Sequence, residues 1–283
     1  MILYHEHLRG TLNILILLTN IVTANNRWQK DYKLLKSYLC KLLLDLCLTV
    51  AIISTYFLFQ TETYPHVALL NFTSMWSLVA YSNGVLAVCY FVAHLYRLIN
   101  LQVNECMDKL SVFEKDQLYW TTHPLKKKQI CCMVAAELNK LAYLHQDVAT
   151  IMRTIVKTLD CSLLIAILYT FLVTTGGIFY TYTSLMLDIR SNRDLPKWKY
   201  CYSLLLASFQ ALQFYYLVSG STLLTRRAQK TGIVVNRFFK ADIDEQVERT
   251  INMFSMGLLH HSYSIESFGM FKVDFTLMYS VGN

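Results

Sequence analysis

Proline occurs three times and glycine nine times in 283 residues. So few chain breakers exclude a loop-rich, all-β or low-complexity protein, and no repeat of fixed period is present. Charge is scarce as well, with Asp, Glu, Lys and Arg making up 16% of the chain against roughly 25% in an ordinary soluble domain. The eight cysteines (Cys40, Cys47, Cys89, Cys106, Cys131, Cys132, Cys161 and Cys201) form no Cys-x-x-Cys pair. That argues against a zinc site and a secreted disulfide framework alike, and leaves them as small apolar packing residues. Motifs for enzyme chemistry are missing too. His5-Glu6-His7 lacks the spacing of a zinc-protease helix, Gly176-Gly177 has no phosphate-binding lysine, and His260-His261 has no acidic or thiol neighbour in sequence. No catalytic residue, metal or cofactor is expected, and an enzyme is the least supported class.

What the chain has in abundance is apolar surface: 54% hydrophobic residues and a mean hydropathy of +0.34, the composition of a membrane protein. Five apolar stretches stand out, at 11–24, 39–60, 67–98, 155–187 and 199–225, and a sixth begins at 270. Crossing about 30 Å of hydrocarbon at about 1.5 Å per residue takes about 20 residues, so four of them are long enough and 11–24 reads as part of a helix. Pro65, Pro124 and Pro196 all lie between the stretches, where helices stop and start. The expected fold class is all-α: a polytopic transmembrane helix bundle over 1–225, with a cytoplasmic helix and a final helix in 226–283.

Lysine and arginine set the orientation. Segment 25–41 carries five, 97–157 nine and 226–249 six, whereas only Arg9, Arg190, Arg193, Lys197 and Lys199 fall on the opposite side. Basic residues gather on cytoplasmic connections, so these three segments are expected inside, and the net charge of +7 needs no nucleic-acid partner. A cleaved signal peptide ending near Val22-Thr23-Ala24 would put the five cations of 25–41 outside, which the same rule disfavours.

The cytoplasmic connections are themselves patterned. Val134, Leu138, Leu141, Leu144, Val148, Ile151, Ile155 and Leu159 recur at helical spacing, and so do Ile243, Val247, Ile251, Phe254 and Leu258. Two amphipathic helices are predicted, suited to pack against each other.

Near the end stand Thr231 to Ile233, then Phe254-Ser255-Met256, then Phe268-Gly269-Met270-Phe271-Lys272-Val273-Asp274. Together they resemble the insect gustatory receptor family, in which a phenylalanine-serine step and a polar bend precede Gly-x-Phe-x-x-Asp at the opening of the last helix. The layout of short and long cytoplasmic links with tight outer turns is similar as well. The resemblance implies a seven-helix taste-receptor subunit of the plasma membrane that assembles as a homo- or hetero-tetramer, forms a ligand-gated cation channel, and binds small-molecule tastants among its helices. It also implies that the chain is incomplete at both ends, lacking the first helix and the end of the seventh.

Within the spans, Trp76, Asn83, Ala87, Tyr90 and His94 share one helical face, expected to point into the bundle because polar groups in lipid are costly. Ser203, Gln210, Phe214 and Ser221 share another, with Gln213 beside it. Two mid-depth amides suit either a polar ligand or bonds between helices. Thr170, Thr174, Gly177 and Thr181 form a small-residue stripe for close helix packing. Asp45 and Asp160 are explained by pairing with Lys41 and Lys157. The candidate ligand-binding residues are Tyr56, Trp76, Phe179, Tyr182, Gln210 and Gln213, an aromatic set with two amides. A heptahelical receptor coupled to G proteins is the alternative, and a small-molecule transporter the next. The first usually kinks its spans with proline, the second breaks paired helices, and neither feature is present.

Overall fold

The computed structural model describes residues 32–59, 65–115, 117–190, 197–236, 244–260 and 263–282. The apolar segment 11–24 lies outside them. In order the elements are α1 (Tyr32–Phe59), α2 (Pro65–Lys115), α3 (Gln117–Thr122), α4 (Pro124–Arg190), α5 (Lys197–Asn236), α6 (Glu245–His260), the two-residue strands β1 (Glu266–Ser267) and β2 (Phe271–Lys272), and α7 (Phe275–Gly282). Pro65 and Pro124 each occupy the first position of a helix, where a missing N–H costs nothing and the fixed φ is already helical.

Helices α1, α2, α4 and α5 are long and apolar enough to cross a membrane, and they take in the described residues of the four predicted spans. Two overshoot it by far: α2 has 51 residues and α4 has 67, roughly 77 and 100 Å at about 1.5 Å each. The amphipathic stripe that begins at Val134 continues without a break into the span at 155–187, as its spacing predicts.

The chain forms two compact units. The described residues within 89–158 and 222–266 fall in the first, and those within 31–88, 159–221 and 267–283 in the second. In the first, Val134, Leu138, Leu144 and Val148 of α4 are buried, as are Val247, Ile251 and Phe254 of α6, so the described part of both predicted stripes faces inward; Ile243 lies outside the described residues. The His145 and Phe254 rings meet at 6.0 Å, and Leu258 of α6 reaches within 3.8 Å of where a side chain on Gly232 of α5 would begin.

In the second unit, Ile52, Met75, Val79 and Phe209 form a buried apolar core. The small-residue stripe does what its composition suggests. A Cβ on Gly177 would lie 3.6 Å from Ala207 Cβ, Ser203 Oγ donates to Gly177 O at 3.0 Å, and Thr181 Oγ1 donates to Ser203 Oγ at 3.0 Å. Helix α1 is built inside out: Lys41, Asp45, Thr49, Ile52 and Tyr56 are buried, while Leu35, Leu39, Leu43, Leu46, Val50 and Phe57 are exposed. An apolar outward face is what lipid as a solvent requires.

The final helix starts later than the apolar run at 270 suggests. Phe268 and Gly269 both have positive φ, as a two-residue hairpin turn demands, and Met270 N donates to Ser267 O at 2.9 Å. Residues 266–272 are thereby committed to the strand pair, and α7 begins only at Phe275.

Candidate functional site: a buried ionic clasp

Lys41 and Asp45 stand one turn apart on α1 and face inward, 1% and 4% exposed. Each would be expensive in an apolar span alone. The structure satisfies both. Lys41 Nζ donates to Asp45 Oδ2 at 2.5 Å, to Gln213 Oε1 at 2.8 Å and to Asn83 Oδ1, which uses all three ammonium protons. Asp45 Oδ1 accepts from Gln213 Nε2 at 2.6 Å, and Oδ2 also accepts from Asn83 Nδ2 at 3.0 Å. Tyr38 adds a bond from its hydroxyl to the Asn83 carbonyl, and the Tyr216 ring lies 5.7 Å from Lys41 Nζ. The result is a closed ring of charge-assisted bonds joining α1, α2 and α5 within the second unit. With the ammonium saturated, the clasp offers no open anion site. Its chemistry is to hold three helices in one register.

Of the predicted ligand-binding residues, Gln213 is therefore engaged by protein. Gln210, one turn earlier, is fully buried, and neither amide atom has a hydrogen-bond partner among the described residues. Tyr56 is buried in an aromatic cluster, 5.1 Å from the Phe72 ring and 5.6 Å from Tyr202. Trp76, Phe179 and Tyr182 are 53%, 67% and 57% exposed, so the chain does not enclose them with the other three. The inward face expected for Trp76 is corrected: Val79, Leu86 and Ala93 are buried on α2, whereas Trp76 points away. Lipid accepts an aromatic ring as readily as a core does, so apolarity alone does not choose the face. Asn83, on the predicted face, does bond to a neighbouring helix. The pairing of Asp45 with Lys41 is observed; what the sequence did not reveal is that the pair is buried and completed by two amides from other helices. The available signal was four polar residues, Lys41, Asp45, Asn83 and Gln213, spread over three separate spans.

The turn before α7 is equally specific. Asp274 Oδ1 accepts from Thr276 N at 2.9 Å and Leu277 N at 3.4 Å, the geometry of an N-cap. The Thr276 hydroxyl bond holds the Asp274 carboxyl below its ordinary range. Gly269 at φ 68 and Asp274 thus give Gly-x-Phe-x-x-Asp a physical content: a hairpin turn followed by a helix cap. Upstream, Ser255 donates to Asn236 Oδ1 at 2.9 Å, so the phenylalanine-serine step packs and ties α6 to the end of α5.

The sequence model of the 7tm chemosensory receptor family matches residues 1–282. The chain belongs to the 7tm chemosensory receptor family. No curated protein matches it significantly. Family membership and four membrane-length helices make this receptor an all-α transmembrane bundle and a chemoreceptor, and place the clasp among the helices of a membrane sensor.

Proposed function

We propose that this receptor is a gustatory receptor subunit of the plasma membrane, which assembles with copies of itself or with other subunits into a tetrameric cation channel opened by small-molecule tastants. The observation that carries the reading is the element Phe268 to Asp274, whose glycine turns a hairpin and whose aspartate caps the last helix. The gustatory pattern puts this element at the opening of the last helix, and an aspartate that caps Phe275–Gly282 supports that placement. The distribution of Lys and Arg supports it, with 97–157 and 226–249 on the cytoplasmic side. For the tastant pocket the proposal rests on Tyr56 and Gln210 of the six predicted residues, since Gln213 is held in the clasp and Trp76, Phe179 and Tyr182 are exposed. Gln210 is the sharpest of them, because a buried amide without a partner is costly unless something else satisfies it.

Whole-cell recording during application of a tastant panel, with the receptor expressed alone and beside other subunits, tests the proposal. Inward cation currents that persist with a non-hydrolysable GDP analogue in the pipette are expected. Currents abolished by that analogue would transfer the reading to G-protein coupling, and uptake of labelled tastant without current would transfer it to transport.

A further inference from the structure

The first unit contains a cavity of about 120 Å³ between α4 and α6, and none of the six candidate tastant residues lines it. Its floor is aromatic. The buried His145 ring is flanked by Tyr263 at 5.2 Å and Phe254 at 6.0 Å, both near-perpendicular, and is backed by Tyr96 at 4.8 Å. Its rim carries the amides of Asn139 and Gln146 and the thioether of Met253. Among the described residues no Asp, Glu, Lys or Arg lines it, so the chemistry suits an uncharged guest. Ring edges and faces complement another aromatic ring, a thioether adapts to its outline, and two amides offer donors and acceptors to one polar substituent. An apolar cavity of ~150 Å³ holds benzene; at about 120 Å³ and partly open, this one takes at most a single ring, with any substituent directed to the open side.

Gly257 on the cavity wall is the second observation. It lies inside helix α6, without positive φ, and a Cβ there would meet nothing within 4 Å. Neither backbone conformation nor close packing calls for glycine, which weakens a helix interior. Any larger residue would project into the space that the cavity keeps open.

We infer that the first unit holds a second small-molecule site, distinct from the tastant pocket, that takes one neutral single-ring aromatic molecule bearing a hydrogen-bonding substituent. The inference is independent of the gustatory reading. The test uses the purified full chain in lipid nanodiscs, with 4-ethylphenol, ethylbenzene and benzoate as probes, followed by saturation-transfer NMR. Saturable 4-ethylphenol binding is expected, weaker by severalfold for ethylbenzene and absent for benzoate. Gly257→Leu should weaken it at least tenfold. Gly176→Leu should leave it unchanged, since that position is equally open in α4 but outside the cavity. If Gly257→Leu does not fold, Gly257→Ala decides, with a threefold or greater loss expected. Absence of saturable binding in the unmodified chain overturns the inference, as does undiminished binding in the Gly257 variants. So does a result in which Gly257→Leu alters only the oligomeric state, because the guest would then be a side chain from another copy.

Discussion

Removing one charge from the clasp is the most demanding test of the structure. Lys41→Met leaves Asp45 ionised, 4% exposed, with only the amides of Asn83 and Gln213 to compensate. Breaking a buried pair in this way costs about 3–5 kcal/mol, far above the roughly 0.6 kcal/mol average of a neutral hydrogen bond between membrane helices. Taking about 2–4 °C per kcal/mol for chains approaching this size, the apparent melting temperature should fall by roughly 6–20 °C. Asp45→Asn should be comparably harmful, because it strands the ammonium of Lys41. The double variant Lys41→Met with Asp45→Asn carries no buried charge. The amide that replaces the carboxylate retains an acceptor for Gln213 or Asn83 and adds a donor, leaving a cost of roughly 1–3 kcal/mol for imperfectly paired groups. The two losses should therefore fail to add, and the double variant should be more stable than either single one. Fluorescence-detected size-exclusion melting of the tagged receptor, with surface expression beside it, measures all three. If Lys41→Met melts within about 2 °C of the unmodified receptor, or the double variant loses the sum of the singles, water or lipid headgroups solvate these charges and the clasp is not the contact described.

Two further outcomes follow from helix packing and one from the distribution of Lys and Arg. Gln210→Leu should leave melting unchanged or raise it, since the amide has no partner among the described residues to lose, while Gln213→Leu should destabilise the receptor by about 1–3 kcal/mol and lower its melting temperature; a fall for Gln210→Leu in the same assay would show an amide bond that the described residues lack. Gly177→Leu should overpack the contact with Ser203 and Ala207, costing about 1–3 kcal/mol, while Gly177→Ala, at ordinary contact distance, should be tolerated; equal melting for the two would remove the close helix crossing. In a background without exposed cysteines, a cysteine at Lys127 should resist an impermeant thiol reagent on intact cells while one at Asn192 reacts, and the reverse pattern would invert the topology.

Composition, the four membrane-length helices and the buried stripes on α4 and α6 were legible in the sequence because each rests on local periodicity and on the length needed to cross hydrocarbon. The cap at Asp274 is as local, decided within three residues, but the apolar run from 270 hid it. Partner choice was not local. Lys41, Asn83 and Gln213 lie on separate helices, and their contact depends on how α1, α2 and α5 rotate and slide against one another. Nor did periodicity fix which face of a span turns inward, because lipid rewards an apolar surface as well as a core does; Trp76, read as inward, points out for that reason. The sequence by itself determined that this is a helical membrane receptor and where its helices run. The tertiary structure alone decided that its costliest residues meet as one neutralised clasp, since only three-dimensional packing brings a buried charge to the groups that satisfy it.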